Sequence, residues 1–167
     1  FAGLRGAGPA ARYDPALHGL ADGDALLISG MGLGGEGPEF YQDMWRFDVA
    51  TETWSEIVAT SEVRPAGRRY GWSALAPDES VLVFGFGSDS GQGNHMLGDV
   101  WTFTFATGVW APIEVDGELP GARGFAPPWS VGGEDGPVLA FGLDNTMQVV
   151  EQAFILRVPD HLRGRWH

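Results

Sequence analysis

The chain of 167 residues contains no cysteine and no lysine. Without Cys it forms no disulfide and offers no thiolate ligand or thiol nucleophile, so the redox compartment cannot be read from it. Without Lys it can host neither a Schiff base nor a P-loop, whose Lys must reach the phosphates. Long apolar runs are missing too, and none approaches the roughly 18 residues of a membrane span. Positive charge is scarce: ten Arg face 22 Asp and Glu, for a formal net charge of -12. Nucleic-acid binding needs a positive patch that displaces counterions, so no nucleic-acid partner is expected. The acidic surplus favours solubility and does not point to a partner. Plentiful Ala, Gly, Arg and Pro without Lys suggest a GC-rich bacterial source. The start at Phe1, without Met or a signal peptide, is read as a processed or partial chain.

Present in abundance are 26 Gly, 11 Pro, 10 Phe and 7 Trp, with 44% hydrophobic residues overall, as in a globular protein. A repeat organises them. The stretch DMWRFDVATETW (Asp43 to Trp54) returns 56 residues later as DVWTFTFATGVW (Asp99 to Trp110). ALLISGMG (Ala25 to Gly32) returns as SVLVFGFG (Ser80 to Gly87), aligning Gly30 and Gly32 with Gly85 and Gly87. PAAR, ending at Arg12, returns as PAGR, ending at Arg68, and as PGAR, ending at Arg123. A third, diverged copy contains VLAFG from Val138 and AFILRV from Ala153.

Each copy reads as four strands. In the second, Tyr70 to Leu75 is a first strand ending at the turn Ala76-Pro77-Asp78-Glu79, where Pro presets φ and Asp caps locally. Val81 to Phe84 is a continuous apolar run, the pattern of a strand buried on both faces. In the third strand Val100, Thr102 and Thr104 alternate with Trp101, Phe103 and Phe105, a period of two that places the rings on one face. A fourth strand begins at Val109-Trp110. No window carries a helical period, so the chain is predicted to be all-β.

Arginine after proline, an apolar strand running into glycines, Asp-x-Trp-x-Phe, and a Trp nine residues after the first together resemble the kelch repeat. The resemblance implies four-stranded blades of a β-propeller. It implies an outer strand at 1–8, a blade at 9–64, a blade at 65–119 and an incomplete blade at 120–167. Three blades are fewer than the roughly 4–8 of a closed ring. The expectation is therefore a partial propeller: either part of a larger one, the preferred reading, or one completed by a second copy of the chain.

Gly30, Gly32 and Gly35 satisfy G-x-G-x-x-G after a strand, but a dinucleotide site needs a helix to start there. Glu36-Gly37-Pro38-Glu39 and a strand follow instead, so the glycines are read as blade turns and no cofactor is expected. Asp89 and Asn94 lie in a Gly-rich loop whose oxygens could suit Ca²⁺, but the spacing is not that of an EF-hand. His18, His95, His161 and His167 lack zinc spacing. No metal site is expected, and the Tyr–Cys crosslink of galactose-oxidase-type kelch enzymes is impossible without Cys.

First strands of propellers line the central channel, so the kelch resemblance implies a channel mouth formed by Arg12, Tyr13, Arg69, Tyr70, Trp72, Arg123 and Trp129. Arg supplies a fork for carboxylates, and the aromatic faces suit peptides or sugars. The competing role for these arginines is pairing with Asp43 or Asp99 of a neighbouring blade. Trp45, Trp54, Trp101 and Trp110 are read as core. The resulting functional expectation is a non-catalytic scaffold for a protein or carbohydrate ligand. The alternative is a sugar-acting enzyme resembling the kelch-type sialic acid mutarotases.

Overall fold

A computed structural model describes residues 7–34, 37–90, 95–113, 120–124, 132–133 and 136–156. Among these there is no helix. The strands are β1 (Ala16–Gly19), β2 (Ala25–Ile28), β3 (Met31–Gly34), β4 (Gly37–Phe40), β5 (Met44–Asp48), β6 (Thr53–Glu56), β7 (Trp72–Leu75), β8 (Val81–Gly85), β9 (Val100–Thr104), β10 (Val109–Pro112), β11 (Gly132–Gly133), β12 (Gly136–Ala140) and β13 (Ala153–Ile155).

The first repeat folds as an antiparallel sheet ordered β1-β2-β5-β6, and the second as β7-β8-β9-β10. The third supplies β11-β12-β13. The Trp that follows nine residues after the first is explained by register. Phe47 stands opposite Trp54 with ring centroids 5.0 Å apart, and Phe103 stands opposite Trp110 at the same 5.0 Å. Cross-strand aromatic pairs of this kind contribute beyond their area alone. Trp110 is buried, whereas Trp45, Trp54 and Trp101 are half-buried.

The three sheets pack side by side, and strand alternation assigns each residue its neighbour. From β8, Leu82 and Phe84 join Phe103 and Trp110 against Ala16, Leu26, Ile28 and Met44 of the first sheet. Val81 and Val83 point the other way, with Trp72, Ala74 and Val100, toward Leu139 and Leu156 of the third. The central sheet is thus covered on both faces, which is why β8 is apolar throughout and buried at every position. Each such side chain contributes about 1.5–3 kcal/mol of burial.

The turn after β7 forms as expected: the Glu79 N–H donates to the Ala76 carbonyl at 2.8 Å, and the Ser80 N–H to the Asp78 carboxylate at 3.1 Å. Two expectations are corrected. The first strand of the second repeat starts at Trp72, because Tyr70 holds a positive φ of 55° that breaks extended pairing. The glycine alignment shifts as well. Ile28 pairs with Met44 as Gly85 pairs with Val100, so Gly30 corresponds to Gly87. The corner after the second strand is Ser29-Gly30, Phe86-Gly87 and Phe141-Gly142, each pair left-handed, with φ values of 58° and 107°, 54° and 84°, and 61° and 111°. Glycine at the second position avoids the Cβ penalty there. The segment predicted as the N-terminal outer strand lies largely outside the described residues.

Candidate functional site

Each of the three corners fixes the same connection. An antiparallel bridge joins Tyr13 to Met31, Arg69 to Ser88 and Gly124 to Leu143. This sets the equivalences: Arg12, Arg68 and Arg123 occupy one position, and Tyr13, Arg69 and Gly124 the next. Pairing Arg12-Tyr13 with Arg69-Tyr70 is therefore out of register by one residue.

Two of the first set, Arg12 and Arg68, are structural. Arg12 grips Asp43 through two hydrogen bonds of 2.5 and 2.8 Å and donates to the Ser29 carbonyl at 2.9 Å. Arg68 grips Asp99 at 2.6 and 2.8 Å and donates to the Phe86 carbonyl at 2.8 Å. Their acids come from the same repeat, not from a neighbouring one. Trp45 and Trp101 each donate an indole N–H to that same acid at 2.7 Å. Burial alone would raise the Asp43 and Asp99 carboxyls, but the guanidinium and indole donors hold both below the usual carboxylate range. With fork and acceptors matched, these arginines are occupied within the fold.

Consecutive repeats are clasped at the same place. The Gly30 N–H donates to the Arg68 carbonyl at 2.8 Å, and the Gly87 N–H to the Arg123 carbonyl at 2.7 Å. Ser29 adds a second clasp, its hydroxyl accepting the Arg68 N–H at 3.0 Å. On the inner side, His18 of β1 meets Ser73 of β7 at 2.8 Å. Burial lowers the His18 pKa from its ordinary value.

Of the residues read as a channel mouth, Arg69 and Tyr70 lie together, and Tyr13 precedes Asp14, to which Tyr70 is bonded. Tyr13 is 55% exposed. The Tyr70 N–H donates to the Asp14 carbonyl at 3.3 Å, and the Arg69 guanidinium lies 4.8 Å from the Tyr70 ring centroid. Burial, the Asp14 charge and a hydrogen bond to Asp14 raise the Tyr70 hydroxyl pKa, opposed by Arg69. Asp14 went unnoticed in the sequence; its signal is that it stands where Tyr70 stands, with a matching φ of 51°.

The other members lie elsewhere. Trp72 is 1% exposed and packs edge-on against Phe86 between the second and third sheets, so it presents no open face. Arg12 and Arg123 are interior because their position faces the corner. Trp129 lies outside the described residues, as do Gly35, Asn94, His161 and His167. His95 contacts Asp89, and among the described residues no group of three or more His, Asp or Glu gathers as metal ligands.

These repeated corners match a family. A model of the KLHDC2/KLHL20/DRC7 Kelch-repeats domain matches residues 3–135, about four-fifths of the chain. The chain belongs to the kelch-repeat family. Its two complete sheets are kelch blades, with the arginine of PAAR and PAGR locked to the Asp of Asp-x-Trp-x-Phe. In the kelch blades the connection after the second strand starts with a bridge, Met31 to Phe40, Ser88 to Met96 and Leu143 to Val149, and in the first it extends into the β3–β4 hairpin. These loops rise beside Tyr13 and Arg69, to which their first residues are bridged.

Proposed function

We propose that this kelch domain is a non-catalytic interaction scaffold that holds a protein partner along the edge formed by Tyr13, Asp14, Arg69 and Tyr70. Membership of the kelch family favours a protein partner. The observation that carries the reading is the junction of Tyr70 with Asp14, where the Tyr70 ring, the Asp14 carboxylate and the Arg69 guanidinium of two repeats meet, with the exposed Tyr13 next to Asp14 in the chain. Rings supply contact area at low entropic cost and Arg supplies a directional fork, the combination that dominates protein interfaces. The adjoining hairpin adds Leu33, 70% exposed.

A photo-crosslinking residue placed at Tyr13 tests this, with one at Glu56 on the outer strand as reference. Protein adducts specific to position 13 and lost on Arg69→Ala support the edge. Equal adducts at both positions, or adducts indifferent to Arg69→Ala, contradict it. Glycan-array binding lost on the same substitution, without protein adducts, would instead favour a carbohydrate ligand and reopen the sugar-acting alternative.

We also infer that further blades of a larger propeller complete this array. Phe141-Gly142 has the geometry of the two corners that clasp a following arginine carbonyl, and among the described residues nothing accepts from the Gly142 N–H. Sedimentation distinguishes the cases: a stable dimer of the 17.9 kDa chain would overturn this reading in favour of two copies closing one ring.

A further inference from the structure

Arg123 occupies the position of Arg12 and Arg68 but has lost their acid. The residue before the third strand is Asp43 in the first repeat and Asp99 in the second. In the third it is Gln152, placed by the same backbone contact: the Phe141 N–H donates to the Gln152 carbonyl at 3.2 Å, as Ser29 does to Asp43 and Phe86 to Asp99, each at 3.0 Å. Arg123 is nevertheless buried, at 2% exposure. Its Nε donates to the Gly121 carbonyl at 3.1 Å, its guanidinium lies 5.0 Å from the Phe154 ring centroid, and its buried Nη1 has no hydrogen-bond partner among the described residues. A guanidinium taken out of water with a donor unmet is costly unless an anion meets it. Burial accordingly lowers its pKa.

The two intact repeats show how an acid reaches such a group. The Arg12 and Arg68 side chains are 3% and 0% exposed, whereas Asp43 and Asp99 remain 23% and 38% exposed. The carboxylate position therefore opens to solvent even though the arginine does not. Gln152, standing there in the third repeat, is exposed.

We propose that Arg123 is a carboxylate-binding site, filled from outside the chain at the position that Asp43 and Asp99 fill from within. The ligand is a carboxylate that accepts in-plane hydrogen bonds from the edge of the guanidinium that carries Nη1, beside the Phe154 ring. It comes from a small organic acid or from an acidic side chain of a protein; only the second source rests on the scaffold reading above.

Thermal unfolding of the wild-type chain, Gln152→Asp and Arg123→Met tests the site, in sodium acetate against sodium chloride at equal ionic strength. A short blocked peptide with one central Glu, against its Gln counterpart, forms the second arm. Gln152→Asp supplies the missing acid internally. It is expected to raise the unfolding midpoint by about 5 °C without any additive and to abolish any rise caused by the carboxylate probes. The wild type is expected to rise with a carboxylate probe and not with its control. Stabilisation by acetate identifies a small-acid site, and stabilisation by the Glu peptide alone identifies a protein side chain. Equal responses in the wild type, Gln152→Asp and Arg123→Met would overturn the site. So would a stabilised Gln152→Asp chain beside a wild type that responds to neither probe. Loss of the Tyr13 adducts would leave the acetate arm unaffected, so the two proposals fail separately.

Discussion

Arg68 and Asp99 meet through two parallel hydrogen bonds, 2.6 and 2.8 Å long, with the arginine fully buried and the acid partly open to water. Arg12 and Asp43 reproduce the arrangement one repeat earlier. The pair ties the residue entering each blade to the start of its third strand, and the Arg68 backbone carbonyl takes the clasp from Gly30 of the preceding blade.

Asp99→Ala is expected to destabilise the chain by about 3–5 kcal/mol, because it leaves the Arg68 charge buried and uncompensated. The double variant Arg68→Met/Asp99→Ala is expected to recover part of that loss. Urea unfolding followed by tryptophan fluorescence measures both. A double variant as unstable as the sum of its single variants would show that the two residues do not act as a pair.

Both Asp43 and Asp99 have lowered pKa values in the fold. Their contribution is present above the ordinary carboxylate pKa of about 3.9 and is lost as pH falls through the lower folded values. His18 acts in a higher window. Its folded pKa is lowered by burial, so the neutral ring is favoured, and its contribution is complete above about 6.5 and declines as pH falls toward the folded value. His18→Gln keeps a hydrogen-bonding group opposite Ser73 but cannot take up a proton. The stability of the wild type relative to this variant is expected to fall between pH 7 and 5, as measured by paired thermal scans. A constant difference would remove His18 as the titrating group.

Gly87 and Gly23 separate strain from collision. Both have positive φ, 84° and 95°. A Cβ on Gly23 meets nothing within 4 Å, whereas one on Gly87 lies 2.6 Å from the Arg69 carbonyl oxygen and 2.9 Å from Gly71. Gly23→Ala is expected to cost about 1 kcal/mol, and Gly87→Ala about 1–3 kcal/mol more. Equal losses in denaturant unfolding would show that the corner relaxes and that close backbone approach is unimportant there.

The all-β architecture was legible because Val81 to Phe84, the ring alternation from Trp101 to Phe105 and the Trp spacing are direct projections of strand geometry. The candidate site was only half legible. Tyr13, Arg69 and Tyr70 of the proposed edge were named from the sequence, but residues one position apart point in opposite directions, so an alignment slip of one residue exchanged Arg68 for Arg69. Left-handed φ at Ser29, Phe86 and Phe141 could not be anticipated, since none of these is a glycine. The register of the glycines was misread for that reason. Gln152 was invisible because it matters through the acid it replaces, and the diverged third copy hid that equivalence.

Arg68 and Arg69 are neighbours in sequence with opposite roles: Arg68 belongs to the frame of the blade, and Arg69 to the proposed binding edge. Denaturant unfolding of Arg68→Ala and Arg69→Ala, side by side, tests that division most directly. Arg68→Ala is expected to lose about 3 kcal/mol or more, stranding Asp99 and the Phe86 carbonyl, while Arg69→Ala stays within about 1 kcal/mol of wild type. Equal losses, or a greater loss in Arg69→Ala, would contradict it.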